Sequence, residues 1–153
     1  MSKRPPIPTL EPAFEVVAEL GALEDHGDTR VGHRRIIPVI GGRVTGEFEG
    51  EILPGGADWQ IVRRDGSIDV DGRYSARATD GALAYMHAVG VRSGDPDVLE
   101  SLLRGEDVDP TAYYFRAAIT IECAARPELQ NSVYVASYIR TAHSVEYVAY
   151  RVT

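Results

Sequence analysis

The chain has 153 residues, a length that fits one domain and allows a sizeable buried core without metals or disulfides. Sixteen lysines and arginines against twenty-three acidic residues give a net charge of −7, which disfavours binding to nucleic acid or anionic membranes because phosphate attraction needs a concentrated positive field. Cys123 is the single cysteine, no apolar run reaches the length of a membrane-spanning helix, and the first residues lack the apolar core of a signal peptide. We therefore expect a cytoplasmic protein without an internal disulfide.

The N-terminal part begins with a proline-rich segment and continues with strand patterns. Four prolines fall within the first twelve residues and favour an extended chain, so residues 1–12 are predicted to form a flexible tail. The two-residue alternation from Ala13 to Leu20 predicts a half-buried strand, and residues 21–32 predict a loop. Residues 35–40 predict a short strand in which Pro38 makes an edge or a bulge.

The glycine-rich stretch from Gly41 to Tyr74 is the most regular part of the sequence. Residues 43–53 alternate cleanly and predict one strand. Pro54–Gly56 predicts a tight turn, because glycine allows positive φ and proline fixes the preceding corner. A strand follows from Asp58, and Asp65–Gly66 predicts a hairpin turn into the strand at residues 68–78.

The strand predicted over residues 43–53 carries two glycines on its apolar face. That face is made of Val44, Gly46, Phe48, Gly50 and Ile52. In a closed sheet, missing side chains either permit sharp curvature or leave interior room for a ligand. The sequence leaves both alternatives open.

The next segment predicts a two-sided strand and a helix. Asp80–Gly81 predicts a hairpin turn, and residues 82–91 are largely apolar on both faces. One face is expected to line a barrel and the other to be covered by a helix or a second subunit. The second of these alternatives predicts a homodimer. Asp95 as the cap, Pro96 at the first helical position and Gly105 as the terminator predict a short amphipathic helix between them.

Strand patterns return after the helix, at residues 113–123, 132–140 and 145–152. The total is about nine or ten short strands with one short helix. This pattern predicts a mainly β fold, an antiparallel barrel or sandwich, in a single domain that spans residues 13–153.

A series of short motifs occurs in order along the chain. They are GGRVTG at 41–46, LPGGADWQ at 53–60, RDG at 64–66, RY at 73–74, DGALAY at 80–85 and YYFR at 113–116. By these motifs the sequence resembles the DUF3237 family of bacterial and fungal proteins, from about Ala13 to the C-terminus. The resemblance implies a lipocalin-like antiparallel β-barrel that commonly associates in pairs, and it implies no single established reaction.

Polar residues at or near these motifs are the candidates for chemistry. The candidate catalytic residues are Asp58, Arg73, Tyr114 and Arg116. A carboxyl group shielded by Trp59 can have a raised pKa and exchange protons, while an arginine can hold an enolate, carboxylate or phenolate. This pattern predicts a cofactor-independent isomerase, cyclase or lyase. The structural alternative is that Asp58 accepts hydrogen bonds in its turn and pairs with an arginine to fix the closure of the barrel.

A small barrel with unfilled interior space typically binds a small organic molecule, here a hydrophobic or aromatic oxygenated compound. The candidate ligand-binding residues are Trp59, Tyr74, Tyr85, His87, Asn131 and Tyr138. Each has a structural alternative, because aromatic residues are often core residues and a packed histidine often has a satisfied ring. A non-catalytic carrier or an interaction partner protein is therefore the second functional hypothesis.

No cofactor and no metal are expected from the sequence. It contains no phosphate loop, no Rossmann glycine pattern and no Cys-x-x-Cys pair, and its glycine pairs precede strands instead of helices. His26, Asp28 and His33 lie close in sequence, but nothing fixes a ligand geometry among them.

Overall fold

The strands of this protein close into an antiparallel β-barrel. The computed structural model describes residues 2–153. Its ten strands and its helix are β1 Leu10–Leu20, β2 Glu24–Thr29, β3 Gly32–Gly46, β4 Gly50–Ile52, β5 Gly56–Val62, β6 Ile68–Ala78, β7 Leu83–Gly94, α1 Pro96–Leu103, β8 Tyr113–Glu122, β9 Val133–Arg140 and β10 Ser144–Val152. This architecture confirms the predicted strand number, the antiparallel barrel and the single short helix.

Closure of the barrel depends on β1, which pairs with β10 on one side and β3 on the other. Phe14 lies opposite Ala149 of β10 and opposite Gly46 of β3. Strand β2 continues the line of β1 along β3, and β4 and β5 together occupy one position between β3 and β6. The wall therefore has eight strand positions, built from ten strands.

The stretch around Gly46 differs from the prediction of one strand over residues 43–53. The chain reverses direction between β3 and β4, where the buried Phe48 fills one end of the barrel. Gly46 has φ of +112°, a left-handed conformation that glycine adopts without steric cost. The sequence of residues 43–53 alternates across this reversal without a break, because Val44, Phe48 and Ile52 are all buried in the barrel interior.

The predicted tight turn is present at Pro54–Gly55, with φ of +109° at Gly55, but it does not reverse the chain. Arg43 of β3 pairs with Glu51 of β4, and Val39 of β3 pairs with Gly56 of β5. Strands β4 and β5 therefore run in the same direction along β3, and the residues between them interrupt a strand instead of reversing it. Proline and glycine signals mark both kinds of irregularity, so they could not separate a bulge from a hairpin.

Two predicted boundaries are corrected near the N-terminus. Residues 10–12, assigned to the tail, belong to β1, where Leu10 pairs with Val152. Residues 21–32, predicted as a loop, contain β2, which forms a hairpin with the start of β3. Strand β2 is polar and mostly exposed, so no apolar alternation announced it.

Three local predictions are confirmed. The chain turns between β5 and β6 at Asp65–Gly66 and between β6 and β7 at Asp80–Gly81. Helix α1 begins after Asp95, whose side chain accepts a hydrogen bond from the backbone N–H of Asp97 at 2.9 Å. Gly105 follows the helix with φ of +76°, the left-handed conformation expected of a helix terminator. Within residues 2–153, no helix has the length and apolar character needed to cross a membrane.

The two ends of the barrel interior differ in how completely they are filled. We call the end that bears the β6–β7 turn the closed end; large buried side chains pack there, including Phe14, Phe48, Met86 and Tyr134. We call the opposite end, which bears the β5–β6 and β9–β10 turns, the cavity end. Helix α1 packs beside the β5–β6 turn, where the side chain of Leu99 covers Gly66. The unfilled part of the interior lies at the cavity end.

Candidate functional site

An interior cavity lies at the cavity end of the barrel. Its wall is mostly apolar, and its polar side chains are Asp58, Gln60, Tyr74, Arg92, Tyr138 and Arg140. The volume of this cavity is about 40 Å³, which is enough for a few waters. An aromatic ring needs a cavity of roughly 150 Å³, so a ligand of that size requires the side chains that line the cavity to move apart.

Strand register places Asp58 inside the barrel. Asp58 pairs with Ile37 of β3 and with Gly72 of β6, and both positions face inward. A Cβ added at Gly72 would lie 3.8 Å from the Cβ of Ala88, an ordinary contact, so this glycine leaves room beside Asp58. At Gly50, by contrast, an added Cβ would lie 2.1 Å from the carbonyl oxygen of Arg77. An inward glycine either lets strands approach closely or leaves interior room. The first explanation applies to Gly50 and the second to Gly72.

The Asp58 carboxyl group is surrounded by protein and accepts two hydrogen bonds. Its Oδ2 accepts from Nε2 of Gln60 at 2.8 Å, and its Oδ1 accepts from the backbone N–H of Asp71 at 3.0 Å. Burial raises the pKa of Asp58, and it outweighs the two hydrogen bonds and the positive charge of Arg92, which act in the opposite direction. A carboxyl group with this balance is able to take up and release a proton inside an apolar cavity.

Arg92 is the buried cation of the site. Its side chain is at an inward position of β7, opposite Phe115 of β8, and the residue is only 3 % exposed. Within residues 2–153 its Nε has no hydrogen-bond partner, although the guanidinium lies 5.8 Å from the centroid of the Phe115 ring. Burial, together with the nearby Arg140 and Arg35, lowers the pKa of Arg92 to about 10, so it is still charged at neutral pH.

Arg140 is held at the end of β9 by the turn that follows it. Its Nη1 donates to the carbonyl oxygen of Ser144 at 3.2 Å and to that of Thr141. Its backbone N–H donates to the hydroxyl of Tyr113 at 3.0 Å. These contacts fix a second guanidinium at the cavity wall without supplying a carboxylate partner. Burial lowers the pKa of Arg140 as well.

Tyrosines separate the cavity from the packed closed end. The hydroxyls of Tyr74 and Tyr147 are hydrogen-bonded to each other across the barrel. Tyr138 stacks on Phe115, with ring centroids 4.5 Å apart and an angle of 10° between the ring planes. The ring centroids of Tyr138 and Tyr147 are 4.6 Å apart. Burial raises the pKa of Tyr74, Tyr138 and Tyr147, so these phenols keep their protons at neutral pH and serve as hydrogen-bond donors.

The structure brings together three of the residues singled out from the sequence. Asp58, Tyr74 and Tyr138 all line the cavity. They come from β5, β6 and β9, which are far apart in sequence but meet because each residue occupies an inward position at a similar height in the barrel.

Arg73 lies on the other face of the wall from Asp58. It pairs with Ala57, one position from the Asp58–Gly72 pair, and alternation along β6 turns its side chain outward. There its Nε donates to Oδ1 of Asp71 at 3.2 Å. Arg73 therefore does not pair with Asp58.

Trp59, Tyr85 and His87 are also outside the cavity. Trp59 and Tyr85 border a shallow outer depression together with Arg73. Nε2 of His87 lies 2.7 Å from Oδ1 of Asp71. Trp59 therefore does not shield the Asp58 carboxyl group from inside; the burial of Asp58 comes from the barrel interior instead.

Tyr114, Arg116 and Asn131 lie away from the cavity too. Strand β8 alternates strictly, so Tyr114 and Arg116 are on its exposed face, where the Arg116 guanidinium stacks 5.3 Å from the Tyr114 ring centroid. Asn131 is exposed after the 3₁₀ turn Pro127–Gln130. None of the three lines the space that Asp58 faces.

Sequence reasoning missed Gln60, Arg92 and Arg140. A signal existed: Arg92 continues the inward series Ala84, Met86 and Ala88 of β7, and Arg140 continues the series Tyr134, Ala136 and Tyr138 of β9. The strand predicted over residues 82–91 ends one residue before Arg92, whereas the observed strand continues to Gly94 and includes it.

Comparison with known proteins places the chain among families of unknown function. The family described as "Protein of unknown function (DUF3237)" matches residues 8–152. A UPF0311 protein of Bradyrhizobium diazoefficiens is 40 % identical over 142 residues, which cover 90 % of this chain and 93 % of the relative. A UPF0311 protein of Clostridium acetobutylicum is 47 % identical over 96 residues, or 62 % of this chain and 61 % of the relative.

Solved structures share the barrel. A conserved protein of unknown function from Rhodopseudomonas palustris superposes with a TM-score of 0.91 at 35 % identity, covering 98 % of this chain and all of that one (100 %). A "beta-barrel like protein" from Acinetobacter baumannii gives 0.86 at 38 % identity, with coverage of 99 % and 100 %. An enzyme from Penicillium herquei gives 0.68 at 17 % identity, with coverage of 97 % and 99 %, and this likeness shows the fold alone. The chain belongs to the DUF3237 family of β-barrel proteins.

Proposed function

We propose that this barrel is a cofactor-independent acid–base enzyme that binds a small hydrophobic or aromatic oxygenated molecule in its cavity. The reaction class is isomerisation, cyclisation or elimination. The observation that carries the proposal is the Asp58 carboxyl group, which faces a mostly apolar cavity, is removed from bulk water there, and has a raised pKa. General acid–base catalysis works best when the pKa of the catalytic group lies near the working pH, and burial moves a carboxyl group in that direction.

Asp58 has the role of the proton carrier in this proposal. In an isomerisation, its carboxylate takes a proton from a carbon next to a carbonyl group, and the electron pair moves to the carbonyl oxygen to give an enolate. The same proton returns from Asp58 to another carbon of the substrate, so no oxidant or reductant is needed. The apolar wall excludes bulk water and strengthens these interactions.

Arg92 and Tyr138 have the role of stabilising the enolate oxygen. Both line the cavity that Asp58 faces, and the Nε of Arg92 has no hydrogen-bond partner within residues 2–153. The Arg92 guanidinium and the protonated Tyr138 hydroxyl are donors in a low-dielectric site, where stabilisation of a developing oxyanion contributes most to catalysis. The enzyme from Penicillium herquei supports the proposal only in that a protein with this fold performs catalysis.

The proposed activity is tested by proton exchange on a probe. 2-Indanone is a compact cyclic ketone whose acidic protons lie on the carbons between its carbonyl group and its aromatic ring. We expect the protein to accelerate incorporation of deuterium from D₂O at these positions, followed by NMR, and Asp58→Asn to lower the protein-dependent rate by about 100-fold or more. Asp69→Asn, on the outer face of β6, is the matched control and should keep the rate. Equal rates for the wild type and Asp58→Asn would contradict the proposal.

The second candidate is a non-catalytic carrier. The observation in its favour is that Asp58 already accepts two hydrogen bonds, as a purely structural carboxylate does. A carrier returns its ligand chemically unchanged and without isotope exchange. Ligand recovered from the purified protein by native mass spectrometry, and then incubated with it in D₂O, distinguishes the two candidates.

A further inference from the structure

We infer that the ligand of this cavity is a small organic anion, and that Arg92 receives its charged oxygen, as in a carboxylate or a phenolate. This inference rests on the proposal above that the cavity is the binding site. It concerns the charge of the ligand and does not depend on whether Asp58 carries out chemistry.

Strand register concentrates arginines at the cavity end. Arg92 lies opposite Ile68 and Phe115, and Arg140 lies opposite Val145. Arg35 is at the next inward position of β3 beyond Ile37. All three are near the turns that close this end of the barrel.

Fewer carboxylates than arginines line the cavity. Among the described residues that line the cavity, Asp58 is the single carboxylate, and no ion pair joins it to Arg92 or Arg140. Asp25 lies opposite Arg35 on β2, but it is exposed and its Oδ1 is engaged with His33 and with the backbone N–H of Gly27. The cavity wall therefore has an excess of positive charge in a chain whose net charge is −7.

Arg92 is the strongest indication of a missing anion. A guanidinium has five N–H donors, and the Nε–H of Arg92 is buried without a hydrogen-bond partner within residues 2–153. Buried charges in proteins are usually paired, because an unpaired one is costly to remove from water. Arg140 adds a like charge nearby, which lowers the pKa of Arg92. A bound carboxylate would accept hydrogen bonds from the Arg92 fork and relieve this repulsion.

The remainder of the cavity defines the rest of the ligand. Phe115 and Tyr138 form a stacked pair on one wall, and the other walls are lined by small apolar residues such as Ala18, Val70 and Ala88. These surfaces suit a flat, unsaturated or aromatic body attached to the charged oxygen. Burial favours the neutral form of the Asp58 carboxyl group, and in that form the group does not repel a bound anion.

Benzoate and benzamide provide a matched pair of probes, because they have similar shapes and differ in charge. We expect calorimetry to show that the wild-type protein binds benzoate at least about ten-fold more tightly than benzamide. In ¹H–¹⁵N spectra, the Nε–H signal of Arg92, identified by its absence in Arg92→Gln, should move on addition of benzoate. Arg92→Gln should lose the preference for benzoate, whereas Arg77→Gln, on the outer face of β6, should keep it.

Equal affinity for the two probes in the wild-type protein would overturn the inference without any variant. An Arg92 signal that does not respond to benzoate, or a preference that persists in Arg92→Gln, would also overturn it. Arg92→Lys is the fallback if Arg92→Gln does not fold, and it should retain a preference that is weaker than that of the wild type, since lysine keeps the charge but not the fork.

The two proposals fail in different experiments. A preference for benzoate combined with unchanged exchange of 2-indanone in Asp58→Asn would describe an anion carrier and remove the enzyme proposal. Exchange that depends on Asp58 without any preference for benzoate would keep the enzyme proposal and remove the anion inference. Asp58→Asn itself should bind benzoate at least as tightly as the wild type, because it removes the one carboxylate that faces the ligand.

Discussion

Gln60 donates a hydrogen bond from Nε2 to Oδ2 of Asp58 at 2.8 Å, while its own Oε1 has no partner within residues 2–153. This orientation of the amide suits the ionised carboxylate, which only accepts hydrogen bonds. A half-turn of the amide presents Oε1 instead, which can accept from the protonated carboxyl group. Gln60 is thus able to partner Asp58 in both protonation states and to position it for proton transfer.

The first prediction concerns this contact. We expect Gln60→Met to raise the pKa of Asp58 further, because the variant loses a donor to the ionised form while burial of the carboxyl group persists. The measurement is a pH titration of the Asp58 Cγ signal by NMR. Trp59→Phe, on the outer face of the same strand, should leave the titration unchanged. A pKa that falls in Gln60→Met would show that the amide mainly stabilises the neutral acid.

The second prediction concerns the pH dependence of stability. The pKa of Asp58 is raised in the fold above its ordinary value of 3.8, so the folded state holds the proton more tightly than the unfolded chain. Asp58 therefore favours the fold most below that value, and this contribution is lost as the pH rises towards the folded pKa. Asp58→Asn has no carboxyl group at this position and does not undergo this loss. As the pH rises, the free energy of unfolding of Asp58→Asn should therefore increase relative to that of the wild type, by about 1.4 kcal/mol per unit of pKa shift.

Urea unfolding of both proteins at a series of pH values from below 4 to about 8 measures this difference. Asp71→Asn is the control with the opposite sign. Although partial burial acts to raise it, hydrogen bonds from Arg73 and His87 hold the pKa of Asp71 below its usual value. Asp71→Asn should therefore lose stability relative to the wild type as the pH rises. A flat difference for Asp58→Asn would show that the pKa of Asp58 is not raised.

The third prediction concerns the hydroxyl pair of Tyr74 and Tyr147. Removal of one hydroxyl, in Tyr74→Phe or Tyr147→Phe, leaves the other buried without its partner, so each single variant should lose about 1–3 kcal/mol. The double variant should lose much less than the sum, because no unpaired hydroxyl is left. Urea unfolding of the four proteins completes the double-mutant cycle. Additive losses would show that the two hydroxyls do not depend on each other.

The fourth prediction concerns self-association, which we propose for the outer face of β7 to β10. The register aligns small or apolar residues across this face, in the row Val89, Ala118, Val135 and Tyr150. Val89 is 53 % exposed, and an exposed apolar row of this kind is typical of an interface. We expect the wild type to be a dimer by light scattering and Ala118→Glu, in the middle of the row, to be a monomer. Val31→Glu, at the exposed β2–β3 turn, should remain a dimer.

The sequence by itself determined the strand content and which residues of a strand share a face. The alternation from Ala13 to Leu20 places Phe14, Val16 and Ala18 on one face, because a strand buried on one side alternates with a period of two. The Asp65–Gly66 hairpin and helix α1 were also predictable, since their signals lie within a few residues of each other in the chain. Local chemistry is enough for such features.

Only the tertiary structure decided which residues share the cavity. Asp58, Arg92 and Arg140 come from β5, β7 and β9, and they meet because pairing fixes the register of each strand around the closed barrel. A shift of one residue would have exchanged Asp58 for Trp59 and Arg92 for Val91 on the inner face. Alternation shows that neighbouring side chains point to opposite faces, but the choice of face and the height in the barrel depend on hydrogen bonds between distant segments.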